Sequence, residues 1–170
     1  SLCRHILYTR KYLQEIFDLE PEDVRIDWSP DTFGHAATVP TYLAEAGVEY
    51  LYLHRPGAHG VQPRPRAFWW QGPNGARVLA WNDMAFGYNG RIEPEVLLRS
   101  LTKTYDETAL PFSLFVYGVG DHGGGPTRRD LVSAIDMNAW PLFPQVTFST
   151  ADSFYRQLES RSADLPVLDY

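Results

Sequence analysis

The sequence has a single cysteine, Cys3, so no intrachain disulfide can hold it together. It has no run of Lys or Arg, and its formal net charge is −6. These features exclude nucleic acid and an anionic membrane surface as main partners. No apolar stretch reaches the roughly 18 residues that a membrane-spanning helix needs. Internal repeats, low-complexity tracts and a signal-peptide pattern are also missing. The His-x-His and His-x-x-x-His spacings of compact metal sites do not occur. With a lone thiol and no secretion signal, cytoplasmic residence is the default reading.

What is present suffices for a folded domain. The chain has 170 residues, of which 44% are hydrophobic. A domain of this length hides roughly two-thirds of its unfolded surface, and the length fits one domain. The first residues already read as a helix in progress, with Leu2, Ile6, Leu13, Ile16 and Phe17 on one face. The closing "LPVLDY" reads as a strand just starting. The expectation is a piece of a larger protein, and strand edges left unpaired in such a piece favour self-association into an oligomer.

The expected order is helix 2–17, strand 24–28, helix 39–46 and strand 50–54, then a Pro/Gly/His-rich loop from Arg55 to Pro65. "AFWW" and "ARVLAWN" flank "QGPNG", whose Pro-Asn-Gly predicts a hairpin turn. A helix follows over about 94–107, with Pro94 in its first turn. Strand 113–117 then runs into "GDHGGGP". Thr127 and Asp130 form a predicted capping box for helix 128–138. "QVTFST" reads as a strand, and Ser149 or Thr150 caps helix 151–159. Strands alternating with helices imply an α/β fold with a mainly parallel sheet. In such folds function collects at the carboxyl ends of strands. Asp31, Arg55 and Asp121 each follow a predicted strand, so all three are expected at that end.

Asp31 and Asp121 are a candidate carboxylate pair, one ionised as nucleophile or base and one protonated as acid. The bland alternative for Asp31 is an Asx-turn or a cap for the next helix. The successive glycines after Asp121 permit close backbone approach. A phosphate loop is disfavoured there, because the Walker lysine is absent and an acid repels phosphate. His35 and His122 each follow an Asp closely, but a four-ligand metal site cannot be assembled from spacing; a structural role is the alternative. Adjacent strand residues face opposite sides, so Trp70 is expected in the core and Trp69 against a sugar face, unless both are core.

Taken together, "WSPDTFGHAATVPTYLAEAG", "LYLHR", "FWWQGPNGARVLAW" and "YGVGDHGGGPTRRDL" resemble the family 38 glycoside hydrolases, the α-mannosidases, over nearly the whole chain. The resemblance implies a retaining α-mannosidase and, for residues 1–170, part of one catalytic domain with a seven-stranded β/α barrel-like fold. It implies that Asp31 is both nucleophile and zinc ligand and that Asp121 is the general acid/base. It places Arg55 beside the nucleophile, and Tyr88 and Asn89 at a tyrosine-led substrate contact. A mannose-containing oligosaccharide is the implied substrate and zinc the implied cofactor. The family's upstream His-x-Asp and downstream His are not in this sequence, so most zinc ligands are expected outside it. The competing expectations are another carboxylate-pair glycoside hydrolase and a degenerate, non-catalytic sugar-binding domain.

Overall fold

The computed structural model describes residues 2–55, 64–120 and 123–169. Their centre is a five-stranded sheet of β1 (Ile26–Ser29), β2 (Tyr50–Leu53), β3 (Ala67–Gln71), β4 (Arg77–Asn82) and β5 (Val167–Leu168), in the order β1-β2-β4-β3-β5. Strands β1, β2 and β4 run parallel, β3 returns antiparallel to β4, and β5 is parallel to β3. The expected α/β class and mainly parallel sheet are therefore observed. The helices are α1 (Leu2–Phe17), α2 (Val39–Glu45), α3 (Pro94–Thr108), α4 (Arg128–Met137) and α5 (Ala151–Glu159). None is long and apolar enough to cross a membrane, among the described residues.

The sheet is covered on both faces, which is why β2 reads as an unbroken apolar run. Tyr50 and Tyr52 point to one side, against Trp81 and the α5 residues Phe154, Tyr155 and Leu158. Leu51 and Leu53 point to the other, with Phe68, Trp70 and the α2 residues Val39 and Leu43. The "GPNGA" turn closes the β3–β4 hairpin as expected. Gly72 N donates to Ala76 O at 2.8 Å, and Gly75 takes a positive φ of 83°. The capping box of α4 forms too: the Thr127 hydroxyl accepts from Asp130 N at 3.1 Å, and Thr127 N donates to the Asp130 carboxylate at 3.2 Å. Thr150 caps α5, its hydroxyl accepting from Ser153 N at 3.2 Å.

Two expected strands are corrected. Residues 113–117 form no ladder strand; the segment has an isolated bridge between Gly90 and Tyr117. Phe112, Leu114 and Val116 do pack on the sheet's core, so the alternation that suggested a strand is real. The backbone is instead held by Gly90 N donating to Val116 O at 3.1 Å and by the Arg66 guanidinium donating to Leu114 O at 3.2 Å. Residues 145–150 likewise form no ladder. Asn138 stands in for a neighbouring strand: its amide donates to Val146 O at 2.9 Å and accepts from Val146 N at 2.7 Å.

Candidate active site

Parallel pairing of β1, β2 and β4 sends their carboxyl ends to one edge. Asp31 leaves β1 there in a tight turn, and Gly34, at a φ of 115°, bends the chain before α2. The N-cap of α2 is Thr38, so Asp31 does not cap that helix. Its carboxylate instead accepts from Nε of Arg55, which lies just beyond β2. Tyr88 stands by the same pair and acts on both the Asp31 carboxylate and the Arg55 guanidinium. Hydrogen bonds from Arg55 first and Tyr88 second hold the Asp31 carboxyl below its ordinary range, as donors to a charged carboxylate should. The Asp31 side chain is 52% exposed and that of Arg55 36%, so the pair opens to solvent. The guanidinium also lies over the Phe33 ring, 4.6 Å from its centroid.

Two of the described histidines, His35 and His54, are committed to backbone carbonyls. Nε2 of His35 donates to Arg55 O at 3.1 Å, and Nδ1 of His54 donates to Asp83 O at 2.9 Å. Burial, then the positive Arg64, push His35 below its ordinary value, so it prefers to be neutral. His35 thus takes the structural role left open by its spacing: it holds the backbone of Arg55.

Asn89 lies beside Gly120. A Cβ at Gly120 would come within 2.8 Å of Asn89 Cβ and 2.9 Å of its Cγ. Tyr88 and Asn89 therefore reach in two directions, one to Asp31 and the other to the stretch leading to Asp121. Asp121 and His122 lie outside the described residues. Trp69 is not brought to Asp31. It shares a register row with Leu79, Tyr50 and Ile26, near the amino ends of the parallel strands. Its Nε1 donates to Ser162 O at 3.1 Å. Trp70 is fully buried, as expected.

A further carboxylate was missed. Asp83 follows β4 at the same edge and is fully buried. Arg66 donates to its Oδ1 at 2.9 Å, and the Tyr52 hydroxyl donates to its Oδ2 at 3.1 Å. Arg66 is sandwiched between Trp81 and Phe86, 4.7 and 4.9 Å from their ring centroids. Burial pushes the Asp83 carboxyl up to about 6, with Arg66 the strongest opposing influence. Burial also draws Arg66 down, but a guanidinium titrates so high that it stays cationic. The strand-end filter that selected Asp31 and Arg55 applies equally to Asp83 and could have found it.

As a zinc ligand, Asp31 has suitable chemistry: it is ionised, half-exposed and oxygen-donating. No three His, Cys, Asp or Glu side chains gather to hold a metal among the described residues.

The sheet and its paired Asp31–Arg55 edge describe an α/β domain with a carboxylate site at its strand ends. The family model for the glycosyl hydrolases family 38 N-terminal domain matches residues 1–169, and the chain belongs to that family. It is 27% identical over 166 residues to Alpha-mannosidase G of Dictyostelium discoideum, covering 97% of this chain and 15% of that protein. It is 30% identical over 139 residues to Alpha-mannosidase 2C1 of Homo sapiens, covering 81% of this chain and 13% of that protein. A crystal structure of an alpha-mannosidase from Enterococcus faecalis V583 shares the fold, with a TM-score of 0.69 at 20% identity. That match covers 98% of this chain and 19% of the other. The chain thus spans well under a quarter of the length of these proteins.

Proposed function

We propose that these residues carry the nucleophile of a retaining α-mannosidase whose substrate is a mannose-containing oligosaccharide. The observation that carries this reading is the Asp31 carboxylate paired with Arg55 at the carboxyl end of parallel strands, an arrangement that favours its ionised form. The described strands are taken as part of a seven-stranded barrel-like domain in a protein of its relatives' length, and the isolated chain as inactive.

Retaining hydrolysis needs two carboxyl groups about 5–5.5 Å apart. Asp31 attacks the anomeric carbon and forms a glycosyl-enzyme as the glycosidic C–O bond breaks. Asp121 gives its proton to the leaving oxygen, then takes one from the water that releases the sugar. Arg55 and Tyr88 hold the attacking carboxylate in one orientation, so less freedom is lost on the way to the transition state. Asn89 is kept as a second substrate contact. Asp31 is proposed as one zinc ligand, with the others supplied from outside this chain. When bound, the ion supplies positive charge that favours ionised carboxylate and orients sugar hydroxyls.

The test is kinetic. In the longer protein, Asp31→Ala should abolish turnover of an aryl α-mannoside; activity kept within a few-fold would sink the assignment. Asp121→Ala should spare activated aryl mannosides more than natural disaccharides, whose poorer leaving groups need the proton. Equal losses on both would count against the acid/base role.

A further inference from the structure

The Asp83 carbonyl oxygen is a meeting point. The amides of Phe86 and Gly87 donate to it at 3.2 and 3.0 Å, closing the turn after β4. Nδ1 of His54 reaches the same oxygen at 2.9 Å. A carbonyl only accepts, so Nδ1 carries the proton and the ring orientation is fixed. That ring meets Tyr88 edge to face, with centroids 5.1 Å apart and planes at 73°.

Tyr88 needs such a brace. It follows the Asp83 turn in a stretch with neither helix nor strand. Yet it stands against the Asp31–Arg55 pair and acts on both groups, and the Asp31 carboxylate is too exposed to be oriented by packing. The base of the brace is firm: Asp83 is fully buried, and its carboxylate is fastened to Arg66 and Tyr52.

We propose that His54 is a positioning residue for Asp31: anchored on the Asp83 carbonyl, its ring sets Tyr88, and Tyr88 sets the attacking carboxylate. This rests on the reading of Asp31 as nucleophile. A displacement near 1 Å costs on the order of a hundredfold in rate for an oriented reaction, so a loosened Tyr88 should slow attack on the sugar more than sugar binding.

The discriminating variant is His54→Asn. Its side-chain amide can keep the bond to the Asp83 carbonyl while removing the ring from Tyr88. The readout is covalent labelling of Asp31 in the longer protein by a ring-fluorinated α-mannosyl fluoride, followed by mass spectrometry. The maximal labelling rate should fall about tenfold, with the inhibitor concentration at half-maximal rate and the melting midpoint little changed. In a Tyr88→Phe background the same substitution should cost little more, because the hydroxyl it positions is gone.

A labelling rate within twofold of wild type, or full additivity with Tyr88→Phe, overturns the proposal. Should His54→Asn fail to fold, His54→Phe, which keeps a ring, should label faster than His54→Ala; equal rates overturn it. If the wild-type protein is not labelled at Asp31, the nucleophile reading itself fails. Labelled wild type with an unaffected variant removes only the role of His54.

Discussion

At the scale of single residues, Arg66 and Asp83 form an ion pair buried on both sides. The guanidinium, at 2% side-chain exposure, also donates to the hydroxyls of Ser100 and Ser113 and to the Leu114 carbonyl. Removing one partner strands a charge in the interior. Asp83→Ala should therefore cost about 3–5 kcal/mol, measured by urea unfolding; a loss below 1 kcal/mol on the same order-of-magnitude scale would show that the pair is not desolvated as described. The pair also carries a pH signature. Burial raises the folded Asp83 pKa from 3.8 to about 6. Its contribution to stability is therefore complete below 3.8 and is lost as pH rises through about 6. Asp83→Asn should flatten the melting temperature between those values, and an unchanged slope would contradict the assignment. Little of this network was legible in the sequence. Arg66 and Asp83 lie 17 positions apart, just before β3 and just after β4 at the open end of the hairpin, and no local pattern marks an ion pair made by folding. Asp31 and Arg55 were legible because turn chemistry and the strand-end rule coincide there.

At the scale of elements, the sequence reads well where structure is made locally. The α1–α5 helices, the β3–β4 hairpin and the Thr127–Asp130 box depend on periodicity, turn residues and caps within a few positions. Thr127→Ala removes the hydroxyl that accepts from Asp130 N, and should cost about 1 kcal/mol in a thermal or urea melt. A change of a few tenths would mean the cap is redundant with the Asp130 carboxylate. Residues 113–117 and 145–150 read as strands because alternation reports which side chains face the core. It does not report whether a neighbour stands ready to complete a ladder. In the folded chain a guanidinium and an asparagine amide satisfy parts of those backbones instead.

At the scale of the whole molecule, the chain exposes large apolar side chains on one helix: Leu7, Tyr8, Tyr12, Ile16 and Phe17 of α1. The outer edges of β1 and β5 have no neighbour in the described sheet. Exposed apolar patches and unpaired edges both promote association. The 170-residue chain alone should therefore self-associate and leave an aryl α-mannoside intact. Elution as a monomer on size-exclusion chromatography, with turnover, would refute this expectation. The parallel sheet and the edge that gathers Asp31 and Arg55 could be anticipated from the alternation of elements. How the exposed surfaces are covered could not, because periodicity records that a face is apolar and not what lies against it.

The fit of Asn89 against Gly120 has a consequence for sequence change. The backbone at Gly120 has room for Asn89 only while position 120 lacks a Cβ. A side chain there is tolerable only if residue 89 shrinks or turns away, and Asn89 can become bulkier only if Gly120 yields. The two positions are therefore epistatic, and substitutions among relatives of this chain should occur at both together rather than at either alone.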